Sequence, residues 1–134
     1  MQAALLNVKL VMLDQLNDDR RRLAEMYLKG ITNPNIKLPK CERKAEHVWH
    51  QFVIRCKARD QLIEHLNHHE IQTIIHYPIP PHLSEAYQDL GYKVGDFPIA
   101  EDFADTVLSL PLFDGMLEEE VQVVIEALNA FKPS

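Results

Sequence analysis

The apolar positions of this chain change rhythm twice, and each rhythm predicts a different kind of element. From residue 2 to about residue 30 there is no proline, and Gly30 supplies a stop, so the pattern predicts one long helix. In its second half Leu23, Met26 and Tyr27 form a stripe among Arg, Asp and Glu, as in a helix with one covered face. The first half is different: Leu5, Leu6, Val8, Leu10, Val11, Met12, Leu13 and Leu16 leave almost no polar side. A helix that is apolar all round has to be covered all round, and a chain of 134 residues has little material to spare for it. The expectation is that this helix packs into a partner or that the chain is missing a piece; a central core helix is the alternative.

Residues 32–46, with Asn33-Pro34-Asn35, Pro39 and then mixed charge, read as a linker. After them strands and helices alternate. Val48, Trp49, Phe52, Val53 and Ile54 predict a strand of about eight residues. Asp60 is placed to cap a helix carrying Leu62, Ile63 and Leu66. Residues 71–77, rich in Ile and Thr, predict a second strand. A short helix over 82–90 leads to Gly91 and a turn at Gly95-Asp96, residues 99–105 are helical, and 107–110 form a third, short strand. The last helix carries Val121, Val124, Ile125, Leu128 and Phe131 at the 3.6-residue period, with Glu118, Glu119 and Glu120 at its positive end. The fold class is therefore α+β: a long N-terminal helix, then a small, mostly antiparallel sheet of about three strands covered by helices on one face.

Composition removes several functions. A formal charge of −6 argues against nucleic acid, whose binding needs clustered Lys and Arg. The only basic run, Arg20-Arg21-Arg22, is flanked by Asp18, Asp19 and Glu25 and reads as a solvated face. Cys41 and Cys56 do not make a disulfide framework or a zinc site, which fits a reducing cytoplasm. No apolar run reaches the roughly 18–20 residues that span a bilayer, and no signal peptide is visible, so no membrane partner is expected. The four glycines are scattered singly, which sets aside phosphate-binding and dinucleotide loops.

The candidate chemistry is concentrated in His76-Tyr77-Pro78-Ile79-Pro80-Pro81-His82. Proline fixes its own φ and extends the residue before it. Tyr77, Ile79 and Pro80 are then held nearly straight, and His76 and His82 are presented at a set separation. The alternative is that both histidines only cap the strand end and the following helix. His65, His68 and His69 have a spacing that can hold a metal on a helix, but no carboxylate or cysteine completes it, so a solvated face is expected. His47 and His50 would point to opposite faces of a strand.

Four segments, in order, carry a family resemblance: Gln2-Ala3-Ala4-Leu5-Leu6; His47-Val48-Trp49-His50-Gln51-Phe52-Val53-Ile54-Arg55; Ile71-Gln72-Thr73 with the His76 to His82 segment; and Leu108-Ser109-Leu110-Pro111-Leu112. Together they resemble the C-terminal part of the DegT/DnrJ/EryC1/StrS family, pyridoxal phosphate (PLP)-dependent aminotransferases acting on nucleotide-linked keto-sugars. The resemblance implies the small domain of a fold-type I PLP enzyme, with residues 1–31 as the helix that joins a large domain and 32–134 as the small domain itself. It implies that His76 and Tyr77 face the hexose of a nucleotide-linked sugar, with His82 close by and an amino acid as amino donor. It places the cofactor lysine, the carboxylate for the pyridine nitrogen and the phosphate cradle in the large domain, outside this chain. None of Lys9, Lys29, Lys37, Lys40, Lys44, Lys57, Lys93 and Lys132 has an apolar setting that would tune it for that work. The expectation is that this chain alone binds no PLP, has no transaminase activity, and self-associates through its apolar helix. A freestanding ligand-binding or interaction module on the same fold is the alternative; a histidine-based metal hydrolase is a remote third.

Two positions depart from the family pattern. Glu70 stands where relatives carry glycine, and a left-handed conformation there would cost roughly 1 kcal/mol. Met116-Leu117 stand where a Ser or Thr cap is common before the acidic triplet, so Asp114 is expected to cap the last helix instead.

Overall fold

The computed structural model describes residues 1–41 and 47–134. The long N-terminal helix is two helices, α1 (Gln2–Leu10) and α2 (Leu13–Gly30). Between them the N–H of Met12 bonds back to the carbonyl of Lys9 at 3.0 Å, a tighter i to i−3 turn. No glycine or proline marks this break, so the residue pattern carried no sign of it. No residue of α1 is buried, and Leu5, Leu6, Val8 and Leu10 are all more than 60% exposed. In α2, by contrast, Leu23, Ala24 and Tyr27 are buried, as the stripe predicted.

The sheet has three antiparallel strands in the order β1 (Ile36–Lys37), β2 (Phe52–Cys56) and β3 (Val107–Leu110). The linker thus contributes the short edge strand β1, and the strand expected from Val48 begins only at Phe52. Trp49 has a positive φ of 48° and its N–H is taken by Nδ1 of His47, so residues 47–50 turn rather than extend. The strand expected over 71–77 is a single bridge, Ile74 to Ser109. Pro78, Pro80 and Pro81 have no N–H to carry a ladder further, and the left-handed Glu70 closes the other side. Ile74 is accordingly 60% exposed.

Along β2 burial alternates: Phe52, Ile54 and Cys56 are fully covered, whereas Val53 and Arg55 are half-buried. In register, Phe52 faces Leu110 and Ile54 faces Leu108, so these four share one face of the sheet. Onto that face pack α2, α3 (Arg59–His68) and α5 (Glu118–Ala130), with Leu23, Tyr27, Leu62, Leu66, Val121, Val124 and Leu128. The C-terminal ends of α2 and α5 are tied by Asn129, whose side chain accepts from the N–H groups of Thr32 and Asn33 and donates to the Gly30 carbonyl. Glycine lets them approach: a Cβ at Gly30 would lie 2.7 Å from Cδ1 of Ile125. The α5 start is closed by the carboxylate of Glu120, which accepts the Leu117 N–H at 2.8 Å. Asp114 does not cap it, because α5 begins at Glu118, within back-bonding reach of Glu120.

The other face of the sheet carries Val53, Arg55, Val107 and Ser109, and a helix covers part of it too. This is α4 (Pro98–Thr106), so the helices are not confined to one face. Arg55 fixes α4 there: its Nε donates to the Thr106 hydroxyl at 2.9 Å, its guanidinium pairs with Asp102, and it lies 4.3 Å over the Phe103 ring. The helix expected over 82–90 is two short 3₁₀ segments, Pro81–Leu83 and Glu85–Leu90.

Candidate functional site

A cleft of about 630 Å³ opens on this second face, between the His76 to Pro81 segment and the N-terminal half of α4. Its walls are mostly apolar, with Ile79, Phe97, Ile99 and Phe103 among them, and His76, Tyr77 and Asp96 supply the polar groups. The sheet positions the first wall. Ser109 is held between Val53 on one side and Ile74 on the other, and its hydroxyl lies 2.9 Å from Nδ1 of His76. That contact ties one imidazole nitrogen to the sheet, and His76 lines the cleft. Tyr77 stands edge-on to the His76 ring at 5.5 Å and is 74% exposed. The segment bends at His76 and again at Pro78-Ile79, so the two ends of the motif are not held along one straight line.

His82 lies apart from the other two. Its side chain is 8% exposed, packs on the Phe97 ring at 4.8 Å, and meets Oε1 of Glu101 at 3.0 Å. It is not among the residues lining the cleft. The same Glu101 carboxylate accepts the N–H of Gly95 at 2.9 Å and the N–H of Phe97 at 3.2 Å. Those donors hold the Glu101 carboxyl below the usual glutamate range, the Gly95 N–H contributing most and partial burial opposing it. Glu101 was missed by the sequence reading. The available signal was an acid following Gly95 and Pro98, which reads as a helix start whose side chain folds back on its own entry.

Of the three histidines expected on a solvated helix face, His68 and His69 are exposed and His65 is not. His65 reaches the Ala127 carbonyl through Nε2 at 2.8 Å and packs on Phe131, so it joins α3 to α5 rather than facing solvent. Among the described residues no group of His, Cys, Asp and Glu is placed to hold a metal ion, and no helix is long and apolar enough to cross a membrane. Burial pushes the Tyr27 phenol and the Cys56 thiol up, away from ionisation. The seven described lysines are all exposed, and none lines the cleft. Among the described residues, then, no lysine stands at the cleft to supply the amine that PLP needs.

The model of the DegT/DnrJ/EryC1/StrS aminotransferase family matches residues 1–129. This chain belongs to that family. Among curated members it is 45% identical over 131 residues to the dTDP-3-amino-3,6-dideoxy-alpha-D-galactopyranose transaminase of Aneurinibacillus thermoaerophilus. It is 47% identical over 131 residues to the erythromycin biosynthesis sensory transduction protein EryC1 of Saccharopolyspora erythraea. These alignments cover 98% and 97% of this chain, which spans about 36% of the length of either relative. Among solved structures it superposes on S. venezuelae DesV, determined in complex with a ketimine intermediate. The TM-score is 0.91 at 42% identity, over 96% of this chain and 35% of that one. The α+β arrangement is thus that of this aminotransferase family.

Proposed function

We propose that this chain forms the sugar-facing small domain of a PLP-dependent aminotransferase that acts on a nucleotide-linked keto-sugar in the cytoplasm. Membership of the family carries the reaction class, and the likeness to a dTDP-sugar transaminase over nearly all of this chain supports the substrate class. The single observation that carries the sugar-facing role is the cleft, where His76 and Tyr77 stand together beside the bent proline segment. Imidazole and phenol both donate and accept hydrogen bonds, so the pair suits hydroxyl recognition. His82 supports the site from behind the Phe97 ring.

PLP supplies the electron sink for transamination, and the groups that hold it lie beyond residues 1–134 in this reading. What this chain does is bind and orient. Ser109 sets the His76 ring, the prolines limit the freedom of Tyr77, and the apolar walls keep water from the sugar ring. Residues 1–31 join the large domain and 32–134 form the small domain. The exposed leucines of α1 then meet the rest of the enzyme or, in its absence, a second copy of this chain.

The test is a titration of dTDP-glucose into the ¹⁵N-labelled chain followed by NMR. The expected result is a selective shift of the Tyr77 and Phe97 amides, lost in His76→Ala and weakened in Tyr77→Phe. Shifts absent from these residues and present elsewhere would reassign the site.

A further inference from the structure

We infer that Glu101 is a positioning residue that sets one wall of the cleft. Besides the His76 to Pro81 segment and α4, the cleft is lined by Asp96 and Phe97 at the end of a strap, residues 91–97. Every residue of this strap is exposed, so burial alone does not hold it in place. Within the strap the Lys93 N–H bonds to the Asp96 carboxylate at 2.8 Å and the Asp96 N–H to the Lys93 carbonyl at 3.1 Å. These contacts shape the turn but do not attach it to the fold.

The strap's start is tied by the Gly91 N–H to the Gln88 carbonyl at 3.0 Å, and among the described residues one side chain hydrogen-bonds its far end. The two oxygens of Glu101 accept the Gly95 N–H at 2.9 Å each, and Oε1 also accepts the Phe97 N–H. The backbone N–H of Glu101 returns to the Phe97 carbonyl at 3.1 Å, closing a reciprocal ring with the helix entry. Nε2 of His82 donates to the same carboxylate, since an ionised carboxylate can only accept. A single acid on α4 thus fastens the strap, the entry of α4 and the 3₁₀ segment that carries His82. Glu101 is only 17% exposed at its side chain, so these bonds are shielded from competing water.

The consequence is a defined gap. With Glu101 in place, the Phe97 ring is held against His82 at 4.8 Å and against Tyr92 at 5.1 Å, and Phe97 lines the cleft together with the proline segment. Without it, Gly95 has a φ of 96° and no side chain of its own to restrain the strap. That this gap receives the sugar rests on the function proposed above; that Glu101 sets the gap does not.

The experiment compares wild type, Glu101→Gln and Glu101→Ala in the ¹⁵N-labelled chain. Amide hydrogen exchange at Gly95 and Phe97 is expected to speed up by about tenfold or more in Glu101→Ala. In Glu101→Gln, which keeps one acceptor, the increase should be smaller, and Ile54 and Leu108 should exchange as in wild type. If Glu101→Ala does not fold, Glu101→Gln decides by the same comparison. Unchanged exchange at Gly95 and Phe97 would overturn the inference. Titration with dTDP-glucose and with dTDP then reads the cleft: Glu101→Ala should weaken the sugar nucleotide while leaving dTDP unaffected. Equal affinity of wild type and variant for dTDP-glucose, when wild-type Tyr77 and Phe97 do respond to it, would also overturn it. Faster exchange, together with no response of wild-type Tyr77 and Phe97 to dTDP-glucose, would uphold Glu101 and remove the sugar reading instead.

Discussion

Glu70 has a φ of 59°, at the point where the chain leaves α3. An L side chain pays for the left-handed region, whereas glycine does not. Glu70→Gly is expected to raise the unfolding free energy by about 1 kcal/mol, read from urea denaturation; a loss of stability would mean that its side chain compensates. Tyr27 offers the opposite case. Its ring is buried against Phe52 and its hydroxyl donates to the Pro111 carbonyl at 2.8 Å. Tyr27→Phe keeps the packing but orphans that carbonyl, so a loss of about 1 kcal/mol is expected in the same assay. At Glu101 the pH dependence has a definite sign. A glutamate held below its ordinary range is ionised and bonded above that range, and its tether is lost as pH falls through the lowered value. The Gly95 amide shift is expected to titrate with a midpoint below that of an ordinary glutamate. Single residues were unevenly legible. Glu70 stands out because glycine has a unique backbone role, whereas the acid after Gly95 and Pro98 signals only a fold-back onto the helix entry and not the Gly95 N–H and His82 that Glu101 also holds.

At the scale of elements, α1 and α5 mark the two extremes. The apolar period of α5 named its buried positions, since Val121, Val124, Ile125, Leu128 and Phe131 are all covered. In α1 the absence of a polar face was equally plain, and the helix is uncovered along its whole length. Leu6→Lys with Leu10→Lys should therefore leave the urea midpoint unchanged and reduce self-association seen by light scattering. A drop in the midpoint would show that α1 already packs on this chain. The strands were harder to read. An eight-residue strand ending in Ile54 was expected, but Trp49 turns left-handed and delays β2 to Phe52. The Ile- and Thr-rich stretch over 71–77 has strand composition, yet strand character also needs a ladder, and the prolines that follow deny it one. β1 was invisible because two residues carry no period.

For the whole molecule, the fold class and family were legible because four spaced segments agree with one architecture, in which a small antiparallel sheet is flanked by helices. The cleft was legible only in part. Its first wall is one continuous motif, His76 to Pro81, whereas its second is assembled from a strap and a helix entry through long-range hydrogen bonds. In the division of labour proposed above, this chain shapes the sugar side and the cofactor lysine lies outside residues 1–134. The most direct test is borohydride reduction of the chain incubated with PLP, with peptide mass spectrometry and an assay for amino-sugar formation. The account predicts no adduct concentrated on one lysine and no turnover. A stoichiometric adduct at a single lysine, accompanied by amino-sugar product, would contradict it.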